Sequence, residues 1–249
     1  MNIGLCGLGK SGSEFLKYVL DKGEDSISLV LCRDNSPTAG KTVRDVLKVY
    51  TEKDIPIVRI SDCYNIDNID LDVIVDFSNR DTTLKLIDFC ISKKNNLVIC
   101  PNDFSNEEIE AFKDCAIKNN IGIVYAPTLT VGVNMIIDFV SRLSSVFEDF
   151  SFDIVERHSK NKSEPTKTAE IIKTATNKDN TRIESVRLDG YVGIHEVTAT
   201  NGIERITIEH ESFSRKAFAN GALIAANYIQ HNNGFYMMHD IIAKQIHKD

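Results

Sequence analysis

A glycine-rich turn near the N-terminus constrains this chain more than any other stretch. Gly7-Leu8-Gly9-Lys10-Ser11-Gly12 follows directly on an apolar run at residues 1–6. It opens a segment, 11–22, in which Phe15, Leu16, Val19 and Leu20 recur on one helical face until Gly23 stops it. A strand, a glycine turn and a helix in that order form the context that a dinucleotide pyrophosphate requires. Gly7 permits the tight turn, Gly9 lets the backbone approach the phosphates, and Gly12 permits close helix–strand packing. Leu8, Lys10 and Ser11 complete the loop, and the helix N-terminus supplies N–H donors.

The rest of the first half repeats the pattern. Continuous apolar runs at 27–32, 72–77, 97–100 and 121–126 read as strands, and 82–93 reads as a helix. Ser105 and Glu108 form the capping box of another helix. Apolar strands separated by helices predict a parallel sheet covered on both faces. The pattern changes at 133–147, an amphipathic helix with Ile136, Phe139 or Val140, Leu143 and Val146 on one side. Longer strands follow at 152–158, 184–188, 191–200 and 204–212. The last alternates with period two, which suits an open sheet with one buried face. Residues 215–230 return to a helix with an alanine-rich face. The expected fold class is α/β: a Rossmann-type parallel-sheet dinucleotide-binding domain (1–128 and 215–249) plus an α+β domain with an open mixed sheet (129–214) for substrate binding and oligomerisation.

Composition excludes some partners. A net charge of −7 argues against general affinity for nucleic acid or an anionic membrane, and no apolar run reaches the length of a bilayer span. The first residues lack the basic region and long apolar core of a signal peptide. Cys6, Cys32, Cys63, Cys90, Cys100 and Cys115 form no CxxC pair and mostly sit in apolar runs, which predicts reduced thiols and a cytoplasmic location. The histidines show no metal-ligand spacing, so no metal is expected.

The end of the second strand bears on cofactor choice. It carries Cys32 and Arg33 where an acid for the ribose 2′-OH would stand, with Asp34 just beyond. Arginine without the acid favours NADP(H). Asp34 leaves NAD(H) open. A second stretch needs explaining. The apolar run 152–155 gives way to Glu156, Arg157, His158, Ser159, Lys160, Asn161 and Lys162, then to Glu164, Pro165, Thr166, Lys167 and Thr168. Taken alone, a solvated loop after an edge strand would produce this pattern.

Motifs in order along nearly the whole chain resemble the 4-hydroxy-tetrahydrodipicolinate reductases, also called dihydrodipicolinate reductases. Gly7–Gly12 is similar to the family's cofactor loop. Val75-Asp76-Phe77-Ser78 is similar to its strand-end motif near the nicotinamide, and Thr130-Val131-Gly132-Val133-Asn134 to its hinge. Val186-Arg187, Val192-Gly193-Ile194-His195, the segment 214–222 and Gly234-Phe235-Tyr236-Met237-Met238-His239-Asp240 follow the family's later motifs. The stretch 156–169 resembles its E-x-H-H-x-x-K…P-S-G-T-A signature. The resemblance implies that His158 and Lys162 are the catalytic acids. It implies that Ser159, Thr166, Lys167 and Thr168 meet the substrate carboxylate. It also implies that Arg33, Phe77, Ser78, Cys100, Asn102, Ala126 and Leu129 join the glycine loop in holding the cofactor. The implied partners are a small dicarboxylate imine and a homotetramer built through the second domain.

The departures fall at the site. Ser159 replaces the second histidine, and Lys167 replaces a glycine in a turn one residue shorter than the family's. Cys100-Pro101-Asn102-Asp103 replaces G-T-T-G, and Thr128 stands where asparagine is usual. The expected activity is therefore NAD(P)H-dependent reduction of a cyclic unsaturated imine dicarboxylate. The alternatives are a related reductase or amino-acid dehydrogenase with another C=N substrate, and a non-catalytic nucleotide-binding sensor. His195 and Arg187 are left undecided between catalytic and structural roles, and His210 is expected to be structural.

Overall fold

A computed structural model describes residues 1–66 and 70–246. The chain runs β1 (Asn2–Cys6), α1 (Lys10–Lys22), β2 (Ser26–Cys32), α2 (Val43–Leu47), β3 (Ile57–Arg59), β4 (Val73–Asp76), α3 (Arg80–Lys93), β5 (Asn96–Ile99), α4 (Asn106–Asn119) and β6 (Gly122–Tyr125). It continues through α5 (Val131–Val146), β7 (Ser151–His158), α6 (Lys167–Thr176), β8 (Arg182–Arg187), β9 (Gly193–Thr200), β10 (Arg205–Ser212), α7 (Lys216–Ile229), β11 (Gly234–Met237) and α8 (Met238–Ile246). By their contacts these elements form two units. One is Met1–Pro127 with Phe218–Met238; the other is Thr128–Ala217 with the C-terminal stretch from His239. Residues 247–249 of the expected 215–249 segment lie outside the described residues.

The first unit holds a seven-stranded sheet ordered β11-β6-β5-β4-β1-β2-β3, with every pair parallel. Its strands are apolar on both faces because helices cover both. Leu29, Leu31, Ile74, Leu97, Ile99 and Phe112 belong to one buried cluster. Strand order reverses between β1 and β4, so the crevice at their carboxyl ends is where such a sheet binds ligands. The capping box at Ser105 and Glu108 is present as expected. Two strands not expected from the sequence are β3, of three residues, and β11, whose four residues are only half-buried and so form no continuous buried apolar run.

The second unit holds a four-stranded sheet ordered β10-β9-β7-β8. β7 pairs parallel with β8 and antiparallel with β9, so the sheet is mixed. The parallel pair needs a crossover, and α6 supplies it. Thr166 caps α6 by accepting from the Ala169 N–H, and Ala169 and Ile172 bury one face of the helix. Val133, Ile136, Val140, Phe152, Ile154, Ile172 and Val197 form the core between sheet and helices. The opposite face is charged: Arg157 lies 3.3 Å from Glu196 and 3.6 Å from Glu209. Among the described residues no helix is long and apolar enough to cross a membrane.

Candidate active site

In the first unit the glycine loop is held at van der Waals limits. Gly7 has φ +91°, and a Cβ there would lie 2.9 Å from the Phe77 carbonyl. A Cβ at Gly12 would lie 2.0 Å from the Gly7 oxygen, inside any real contact. Side chains at these positions would force the turn away from α1 and from the loop after β4. Gly9 caps α1 without a side-chain hydrogen bond, and no acid sits in the first turn. The first-turn N–H groups, from Lys10, Ser11 and Gly12, therefore lack intrahelical acceptors at the positive end of the helix, which fits a pyrophosphate.

The parallel register lines up the strand ends beside this loop. Phe77 N–H donates to Cys6 O at 2.8 Å, Cys100 N–H to Asp76 O at 3.0 Å, and Ala126 N–H to Ile99 O at 2.8 Å. Gly7, Phe77, Cys100 and Ala126 thus share the carboxyl edge of the sheet. The buried Asp76 carboxylate accepts from Ser78 N–H at 2.8 Å and Thr83 Oγ1 at 2.5 Å, which fixes the loop carrying Phe77 and Ser78. Burial pushes the Cys100 thiol well up. Leu8 and Ser11 are half-buried, and Lys10 and Asn102 are exposed. Leu129 belongs to the second unit.

Arg33 lines a cleft of about 440 Å³ with Asp34, Asn35, Asn79 and Lys85. Both Asp34 oxygens are engaged: Oδ1 accepts from Ser61 N–H at 2.9 Å and Oδ2 from Lys85 Nζ at 2.7 Å. The Lys85 contact holds the Asp34 pKa down.

In the second unit a polar row crosses all four strands. Ser185 pairs with Glu156, Glu156 with His195, and His195 with His210. Glu156 is its hub and is fully buried. Oε1 accepts from Ser185 Oγ at 2.7 Å, from Arg187 Nη2 at 2.7 Å and from Thr166 N–H at 3.1 Å; Oε2 accepts from the Thr166 hydroxyl. Burial pushes this carboxyl up, but the donors from Thr166, Arg187 and Ser185 outweigh it and hold the pKa at about 2. Glu156 Oε2 lies 3.7 Å from His158 Nδ1 and 3.7 Å from His195 Nε2. Burial lowers the His158 pKa against the pull of Glu156, and Arg187 and Lys162 lower it further. Burial and His158 together lower His195 to about 3. The Nδ1 atoms of both histidines are buried without a hydrogen-bond partner. Ligand atoms of Glu156, His158 and His195 lie within 4.8 Å of one another. The guanidinium on Glu156 opposes a cation there.

The residues expected to meet substrate divide into two groups. His158 and Thr166 are buried in the cluster, and the Thr166 N–H and hydroxyl are both engaged by Glu156. Ser159, Lys162 and Lys167 are exposed on the loop and the first turn of α6. The Thr168 hydroxyl lies 2.9 Å from that of Thr128. Lys167 stands where the family has glycine, but it is absent from the positive-φ positions and opens a regular helix, so its side chain adds no backbone strain. Its Nζ lies 3.2 Å from Glu170. The roles of Glu156, Ser185 and Arg187 were not visible in the sequence, because cross-strand register and not chain spacing brings them together. His210 packs against Gly132, where a Cβ would lie 2.3 Å from the ring.

Comparison with known proteins covers almost the whole chain. Residues 1–129 match the family described as "Dihydrodipicolinate reductase, N-terminus", and residues 132–242 match its C-terminus. A 4-hydroxy-tetrahydrodipicolinate reductase of Thermosipho africanus is 33% identical over 206 residues, covering 82% of this chain and 94% of that protein. One from Buchnera aphidicola subsp. Baizongia pistaciae is 28% identical, covering 97% of each. Among solved structures, a dipicolinate-bound dihydrodipicolinate reductase from a Paenisporosarcina species superposes with a TM-score of 0.77 at 19% identity, covering 97% of this chain and 99% of that one.

Proposed function

The chain belongs to the dihydrodipicolinate reductase family, and from that membership we propose that it reduces 4-hydroxy-tetrahydrodipicolinate to tetrahydrodipicolinate, a step of lysine and diaminopimelate biosynthesis. The observation that carries the reading is His158 held in a buried cluster at the end of β7, followed by a loop that exposes Lys162 and by Lys167 exposed at the start of α6.

Loss of water from the 4-hydroxy compound gives an α,β-unsaturated imine. Hydride addition converts it to an enamine, which then takes a proton. The bound reduced nicotinamide supplies the hydride. His158 supplies the proton. In the free protein burial keeps its imidazole mostly neutral. The two carboxylates of the substrate favour the imidazolium, so His158 gains its proton as the dianion binds. Lys162, Lys167 and the N–H groups of Lys167 and Thr168 at the start of α6 meet a carboxylate.

The engaged carboxylate of Asp34 supports NADP(H) over NAD(H), since Arg33 is left to face a 2′-phosphate. The charged open face of the second unit's sheet suits assembly into a homotetramer, and the free thiols suit a cytoplasmic setting. The test is NADPH oxidation with substrate formed in situ from pyruvate and aspartate semialdehyde by the preceding synthase. The reading predicts substrate-dependent turnover that is faster with NADPH than with NADH. NADPH binding without turnover would remove the assigned substrate.

A further inference from the structure

Lys162 lies on a loop whose side chains at 159–165 are all exposed, so packing does not hold it in place. What fixes it is a guanidinium. Arg187, at the end of β8, pairs in register with His158 and is nearly buried, its side chain 9% exposed. Its Nε donates to the Lys162 carbonyl at 3.0 Å and its Nη2 to the Ser163 carbonyl at 2.5 Å. The same Nη2 reaches Glu156 Oε1 at 2.7 Å, and Nη1 donates to the Val186 carbonyl at 3.1 Å. Glu156 also grips the far end of the loop through the Thr166 N–H and hydroxyl. One buried ion pair therefore braces the loop on both sides of Pro165.

We propose that Arg187 is a positioning residue that sets the place of Lys162 by tying two loop carbonyls to the buried Glu156. The proposal rests on the reading of Lys162 as a carboxylate partner. Every nitrogen of the guanidinium already donates within the protein, which argues against direct contact with substrate. Only a planar fork reaches the acid and both carbonyls at once. A lysine would keep the charge near Glu156 and lose the grip on the loop.

The experiment is a double-mutant cycle read by calorimetric binding of dipicolinate, a non-reacting planar dicarboxylate, to the NADPH-loaded protein. Arg187→Lys is expected to weaken dipicolinate about tenfold in the wild-type background and less than about twofold in Lys162→Ala, with NADPH affinity unchanged. Equal losses in both backgrounds, or no loss in either, would overturn the proposal. So would a parallel loss of NADPH affinity. If Arg187→Lys does not fold, Glu156→Gln with Arg187→Met removes both buried charges together and must show the same dependence on Lys162. Wild-type turnover is scored separately. Missing turnover with an intact cycle removes the assigned reaction and leaves Arg187 in its role, and turnover with additive losses does the reverse. A wild-type protein that does not bind dipicolinate overturns both.

Discussion

The glycine loop of the first unit and the Glu156 cluster of the second are held together by different means. The first is nearly all backbone: a left-handed Gly7, a Gly12 with no room for a Cβ, and the open end of α1. The second is a buried carboxylate that collects donors from the neighbouring strand and from the loop itself. A site made of backbone tolerates little change in its sequence. A site made of side chains keeps its frame while the residues on top of it vary. Glu156, His158, Arg187 and His195 follow the family, whereas Ser159 and Lys167 depart from it. Those two departures are exposed, and the four retained residues lie in or against the buried cluster.

Substitutions can break that comparison. His158→Ala and Lys162→Ala should each lower turnover by about 100-fold or more while NADPH affinity holds, because each removes a group that acts on substrate. Steady-state kinetics with a fluorescence titration of NADPH would check this, and near-wild-type rates would end the catalytic assignment. Gly12→Ala should do the opposite. It should weaken NADPH by about tenfold or more through the clash with Gly7, measured by the same titration, and leave dipicolinate affinity in place.

Acid should sharpen the contrast. Glu156 sits at about 2 against an ordinary 4.5, and His195 at about 3 against 6.5. Both folded-state values are depressed, so the unfolded chain binds these protons first. Their contribution to stability is complete above pH 6.5 and is lost as pH falls toward 2. Thermal melts across that range should show the midpoint falling with pH, and His195→Gln should flatten the upper part of the fall. In kinetics, kcat/KM should fall as pH rises, with a limb below 6.5 that disappears in His158→Ala, because the free protein's His158 titrates below its ordinary value. The smallest effect expected is at Arg33. Arg33→Asp should move the NADPH-to-NADH ratio of kcat/KM about tenfold toward NADH, and an unchanged ratio would place the 2′-phosphate elsewhere.

What was legible in the chain follows the same division. The glycine loop, the apolar strands and the Ser105 capping box are contiguous, so each carries its own signal of spacing. His158 and Lys162 could be named because they lie four positions apart in a family motif. Arg187 could not be given a role, because only the parallel pairing of β7 with β8 sets it opposite His158. The helix α6 was assigned no element: its cap, Thr166, follows a run of charged residues, and its buried face begins only at Ala169. The fit of Lys167 in place of glycine depended on its φ, which no sequence pattern reports.

The most direct test of the assigned reaction follows the hydride itself. With NADPH deuterated at the transferring position of the nicotinamide and 4-hydroxy-tetrahydrodipicolinate generated in situ, mass spectrometry of the product should show tetrahydrodipicolinate carrying the label, and His158→Ala should slow the appearance of that label by about 100-fold. Oxidation of NADPH without label in tetrahydrodipicolinate, or no oxidation by a protein that binds NADPH, would contradict the account.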